Sequence, residues 1–187
     1  MSELFEKQIS REEIFKGVAM HLVRDKIELP DGTQSVREIS LHNGASAVIP
    51  ILPDGRVIMV RQYRYAHGKV MLEIPAGKLD TPDEDPTSAV IRELREETGA
   101  KCERLTFLGM YYPSPAILDE RISMYLAEGL SFGETDFDDD EFLEIVKVPL
   151  CDLVDMVLDG KIRDGKTQIG VLRAALMLAR RESKEKC

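Results

Sequence analysis

The apolar positions of this chain change their period along its length. They first alternate weakly, through Val18-Ala19-Met20-His21-Leu22-Val23 and Lys26-Ile27-Glu28-Leu29, and again through Ser35 to Leu41 after a Pro30-Asp31-Gly32 turn. Alternation interrupted by proline and glycine marks short strands, so a small antiparallel β unit is expected here. Two apolar runs follow, Ala47 to Leu52 and Val57 to Tyr63, with the hairpin signal Pro53-Asp54-Gly55 between them. Val70 to Ile74 reads as a further strand that stops at Pro75.

The period then lengthens. Asp85 is placed to cap a helix whose first residue is Pro86, where a missing N–H costs nothing. Ala89, Val90, Ile91 and Leu94 continue it, and Gly99 ends it. Strands return at Arg104 to Tyr112, Ile122 to Ala127 and Phe142 to Val148, the last preceded by an acidic loop from Glu134 to Glu141. Two helices close the chain, Leu150 to Leu158 and roughly Thr167 to Arg180, the second with an apolar stripe of Ile169, Leu172, Leu176 and Leu178 expected to pack on the sheet. This order predicts an α/β layered sandwich around a mixed sheet.

Composition narrows the function. The 187 residues carry a formal net charge of -9, which offers little to a polyanion, so no nucleic-acid partner is expected. No apolar run has the roughly 18 residues a membrane span needs. The N-terminal MSELFEKQISREEIF lacks the apolar centre of a signal peptide. Cys102, Cys151 and Cys187 follow no metal or disulfide spacing and read as reduced thiols of a cytoplasmic protein.

The densest chemistry lies in Arg92-Glu93-Leu94-Arg95-Glu96-Glu97-Thr98-Gly99. At about 100° per residue, Val90, Ile91, Leu94 and Thr98 share a face expected to enter the core, while Glu93, Glu96 and Glu97 converge on a strip about 100° wide. Like charges one turn apart repel, and acids in a last helical turn oppose the macrodipole by about 0.3–1 kcal/mol each. Hard divalent cations offset both costs. A solvated acidic face balanced by Arg92 and Arg95 fits the same spacing. The preceding Glu73-Ile74-Pro75-Ala76-Gly77-Lys78-Leu79 joins a strand end to a glycine turn able to bring main chain near a ligand, or to serve as an ordinary connection.

Taken together, Gly77, Glu84 and Arg92 to Ala100 resemble the Nudix box, G-x5-E-x7-R-E-U-x-E-E-x-G-U with U a bulky apolar residue. Two departures stand out: six residues, not five, separate Gly77 from Glu84, and the final U position is the small Ala100. Val60 to Tyr65, Glu73 to Leu79, Tyr112 to Pro115, Asp119-Glu120 and the acids before Phe142 resemble the ADP-ribose pyrophosphatase branch. The resemblance implies a Nudix α/β/α sandwich with an N-terminal antiparallel β unit (residues 1–43) that contacts a second subunit of a homodimer, and a hydrolase domain (44–187). It implies Mg²⁺, with Mn²⁺ as substitute, held by Glu93, Glu96, Glu97, Glu141 and the Ala76 carbonyl. Arg92 would pair the box glutamates, and Glu84 would brace the loop or bind a further cation. Arg37, Arg64, Lys78 and Glu120 would bind substrate: adenine for Arg37, diphosphate for Arg64, terminal ribose for Glu120. Glu141 would take the proton from water, with Asp139 its neighbouring candidate. The implied reaction is hydrolysis of a nucleoside diphosphate sugar, ADP-ribose to AMP and ribose 5-phosphate. Another nucleotide sugar, a dinucleoside polyphosphate, or a non-hydrolysing regulator are the alternatives. Arg61 and Arg64 also fit ordinary strand-surface charges, and His21, His42 and His67 are assigned no catalytic role.

Overall fold

The structure is a computed structural model that describes residues 4–133 and 142–185. Three antiparallel strands, β1 (Lys7–Lys16), β2 (His21–Glu28) and β3 (Gln34–Leu41), form one sheet in that order. β1 is a strand the apolar pattern did not disclose: every residue of it is exposed, so no burial imposes an alternation. β2 shows the alternation plainly, with Val23, Asp25 and Ile27 buried.

The core is built from two further sheets. One is ordered β10-β5-β6 and the other β7-β4-β9-β8, where β4 is Ala45–Pro50, β5 Arg56–Arg64, β6 Lys69–Glu73, β7 Ala76–Lys78, β8 Ala100–Tyr111, β9 Ile122–Phe132 and β10 Leu143–Pro149. β4 runs parallel to β9 and antiparallel to β7, giving the mixed sheet. The Pro53-Asp54-Gly55 turn is present, with the Gly55 N–H donating to the Leu52 carbonyl at 3.0 Å. It does not make a hairpin of the two runs, however. Beyond a single bridge at Ile51 and Val57, β4 and β5 part into different sheets. β4 along its length and β5 from Val57 to Val60 are buried on both faces, as in a sheet covered on both sides.

Helices cover the layers. α1 (Pro86–Thr98) starts as its sequence dictates: the Asp85 carboxylate accepts the Ser88 N–H at 3.1 Å, Pro86 occupies the first turn, and Gly99 closes the helix at φ 67°. Val90 and Leu94 pack with Val48, Tyr125 and Ala127. On the other side α2 (Leu150–Leu158) and α3 (Gly165–Glu185) cover Ile49, Met59, Ile74, Met124 and Leu126 through Leu153, Val171 and Ala174. The stripe expected on α3 is rotated: Leu176 is 62% exposed, while Val171 and Ala174 are fully buried. Small residues there let the helix approach the sheet closely.

Candidate active site

The acids of α1 do not all face solvent. Ala89, Val90, Leu94, Glu97 and Thr98 are its buried residues, and Ile91, expected in the core, is 48% exposed. The buried arc is therefore turned from the expected one, and at about 100° per residue Glu97 lies at its middle. Glu97 is 4% exposed. A solvated acidic face does not describe this helix.

Glu93 is pressed onto β7. A Cβ built on Gly77 would lie 1.9 Å from Glu93 Cδ and Oε1 and 2.3 Å from Oε2. Only a residue without a side chain lets that carboxylate reach the main chain between Ala76 and Lys78. β7 is itself held by pairing with β4 at Ala45–Lys78, Ser46–Gly77 and Ala47–Ala76. The turn expected after Glu73 is thus a short strand, and it sets the glycine in register.

Arg92 binds the acids together. Its Nη1 donates to Glu93 Oε1 at 2.7 Å and to Glu96 Oε2 at 3.2 Å, and its Nη2 to the Lys78 carbonyl at 3.4 Å. The same Nη2 lies 3.6 Å from Glu84 and 3.7 Å from Asp80. Burial disfavours its charge, but Glu93 and the surrounding acids outweigh burial and raise its pKa. Glu84 also accepts the Asp80 N–H at 2.6 Å, closing the loop that carries one residue more than the box pattern. The donors near Gly77 are carboxylates and main-chain carbonyls, the set a hard divalent cation takes. Among the described residues no three carboxylate, imidazole or thiol groups form a ready-made cage. That still suits Mg²⁺, which keeps several waters and takes one or two carboxylates plus substrate phosphates.

Beside these acids lies a cleft of about 430 Å³ whose wall includes Arg64, Ala76, Gly77, Lys78, Glu120 and Lys166. Four residues expected to serve one site, Arg64, Ala76, Lys78 and Glu120, therefore share it. Arg64 is half-exposed and anchored on one edge: its Nε and Nη2 donate to Glu73 Oε1 and Oε2 at 2.8 and 2.7 Å. Arg61, by contrast, makes an exposed pair with Glu144 at 3.3 Å. The Glu73 side chain is 2% exposed. Burial pushes its pKa up, but the Arg64 hydrogen bonds and the Lys166 charge outweigh burial and hold it at about 2. Arg37 does not line this cleft. It sits on β3 with its guanidinium on Glu6, Nε to Oε2 3.0 Å. Glu141 and Asp139 lie outside the described residues.

Among the wall residues that sequence reasoning did not assign to the site are His42, Asp164 and Lys166. His42 has its Nε2 3.8 Å from Glu120 and accepts the Gly44 N–H on Nδ1 at 3.0 Å. Nothing in the spacing of the histidines signals this. Lys166 lies before the expected helix start at Thr167; only the observed start at Gly165 makes it a cation in the first turn of α3, where the macrodipole disfavours positive charge.

An acid-bearing helix thus closes over a strand glycine, beside a cleft whose wall includes arginine and lysine. The Nudix domain model matches residues 41–169. A "Methanol dehydrogenase activator" of Bacillus methanolicus is 43% identical, over 91% of this chain and 94% of that protein. An "ADP-ribose pyrophosphatase" of Bacillus subtilis strain 168 is 40% identical, over 91% of this chain and 93% of that one. Among solved structures, an "ADP compounds hydrolase" superposes with a TM-score of 0.84 over 94% of this chain and 95% of that one, at 23% identity, which is a likeness of fold. The chain belongs to the Nudix family.

Proposed function

We propose that the chain hydrolyses the pyrophosphate bond of a nucleoside diphosphate sugar, with ADP-ribose, giving AMP and ribose 5-phosphate, as its preferred substrate. The observation that carries this reading is the convergence of Arg64, Lys78 and Glu120 on the cleft that also receives the β7 main chain over Glu93. The ADP-ribose pyrophosphatase relative at 40% identity supports the choice of sugar nucleotide.

Glu93, Glu96, Glu97, Glu141 and the Ala76 carbonyl are the ligands proposed for Mg²⁺, Mn²⁺ being a substitute. Such an ion, when bound, neutralises charge on the diphosphate and acidifies a water. The chain's own residues do the rest. Arg64 holds the diphosphate by a charge-assisted contact while Glu73 fixes its orientation. Glu120 accepts hydrogen bonds from the terminal ribose. Glu141 takes the proton of the attacking water. Arg92 neutralises the glutamates and sets their rotamers.

Residues 1–43 are read as a subunit-contact unit of a homodimer and 44–187 as the hydrolase unit. In support, β1 is exposed along its length, and Phe5, Ile9, Ile14, Phe15 and Val36 present apolar surface on or beside this sheet. Arg37 would then reach substrate from the partner subunit. The net charge of -9 argues against a nucleic-acid partner, and cysteines without disulfide or metal spacing support a cytoplasmic protein. Among the described residues no helix is long and apolar enough to cross a membrane.

The test is a hydrolysis screen of purified protein with Mg²⁺ over a nucleoside diphosphate panel. A kcat/KM about tenfold higher for another nucleotide sugar would replace ADP-ribose. A second reading, activation of a dehydrogenase, has the 43% identical relative in its favour. Adding the chain to a methanol dehydrogenase and following alcohol oxidation separates the two.

A further inference from the structure

Lys166 is held where a helix does not want it. It stands in the first turn of the 21-residue α3, and a cation at a helix N-terminus is disfavoured by the macrodipole unless nearby acids oppose it. Its side chain is only 12% exposed. Two carboxylates receive its ammonium: Glu73 Oε2 accepts a hydrogen bond from Nζ, and Asp164 Oδ2 is 3.1 Å away. Asp164 is at the same time the cap of α3, accepting the Thr167 N–H at 2.9 Å and the Thr167 hydroxyl at 2.6 Å. The turn is fixed from behind by Gly165, where a Cβ would fall 2.7 Å from the Tyr111 hydroxyl.

Glu73 is the hinge of this arrangement. One buried carboxylate serves Arg64 through both oxygens and Lys166 through Oε2. Arg64 thereby presents Nε and Nη2 to Glu73. Its Nη1 makes no hydrogen bond among the described residues, and Arg64 lines the cleft. The formal charges of Arg64, Lys166, Glu73 and Asp164 cancel. Remove the lysine and the wall carries one net negative charge, facing the place a diphosphate must occupy. Asp164, whose charge already acts on Arg64, would then compete for the guanidinium.

We propose that Lys166 is a positioning residue for the diphosphate, neutralising Glu73 and Asp164 so that Arg64 keeps its outer edge for substrate. The inference rests on the pyrophosphatase reading for its substrate, and on the geometry of this wall for the rest. It makes Lys166 a determinant of affinity for doubly charged phosphates and leaves the chemical step to other groups.

Lys166→Met is the direct test, read by steady-state kinetics on ADP-ribose with Mg²⁺ and by calorimetric binding of ADP-ribose in EDTA, where turnover is not needed. KM and Kd should each rise about tenfold or more with kcat within about threefold, because uniform binding is what is lost. Lys166→Arg should recover most of the affinity. Asp164→Asn, which preserves the cap, should recover part of it in the Lys166→Met background by restoring neutrality. A purely structural role would lower the melting temperature and kcat, with no rescue by Asp164→Asn. Lys166→Gln carries the same measurements should the methionine variant not fold. Unchanged KM and Kd in an active enzyme overturn the proposal alone. A wild-type protein that neither binds nor hydrolyses any nucleoside diphosphate sugar overturns the pyrophosphatase reading as well.

Discussion

Gly77→Ala tests whether the site depends on contact between Glu93 and β7. The backbone of Gly77 is not in the left-handed region, so alanine meets no conformational obstacle there. The obstacle is the Glu93 carboxylate, 1.9 Å from the new methyl position. To restore ordinary van der Waals separation the carboxylate must retreat by about 1.5 Å, beyond the roughly 1 Å misplacement that costs about 10²-fold in rate. The group that moves is the far end of a flexible side chain, so stability should fall by only about 1 kcal/mol, the low end for overpacking. The retreat also disturbs the 2.7 Å contact between Arg92 and Glu93. The assay is ADP-ribose hydrolysis at a series of Mg²⁺ concentrations, with thermal unfolding in parallel. The expected outcome is a folded protein whose kcat/KM is down about 10²-fold or more and whose Mg²⁺ requirement is raised. A variant within about threefold of wild type in both would refute the argument, for it would mean that Glu93 works equally well away from the strand.

Mg²⁺ at millimolar concentration should raise the melting temperature of the wild type, and by less in Gly77→Ala; at a hundredfold excess over Kd the gain is about 2.7 kcal/mol, and the absence of a shift would remove the carboxylates as a metal site. Glu73, held at about 2 from an ordinary 4.5, binds fewer protons folded than unfolded above pH 2. Its contribution, about 3 kcal/mol at most, is complete above pH 4.5 and lost as pH falls towards 2, so denaturant midpoints over that window should drop more steeply for wild type than for Glu73→Gln. Glu141→Gln should lose kcat by about 10²–10⁴-fold while ADP-ribose still binds, with Asp139→Asn milder; the reverse order would exchange their roles.

Local chemistry alone determined α1. Asp85, Pro86 and Gly99 act within a turn of their own positions, and those signals do not depend on what the helix meets. The box residues were legible as a spaced pattern that resembles a family signature, and the family match bears that out. Tertiary structure decided the rest. Which arc of α1 is buried depends on β4 and β7, and these place Glu97 inside and Ile91 outside. The run after Pro53-Asp54-Gly55 looked like the second half of a hairpin, because a turn signal says nothing of where a strand finds its next partner. β5 finds β10, from near the end of the chain, and β6. Exposed β1 carried no apolar period to read. The wall of the cleft joins Arg64 and Glu73 to Lys166, groups that no spacing rule relates. Their contact exists because α3 packs its small residues closely on the sheet, and a buried carboxylate there is stable only with its cations beside it.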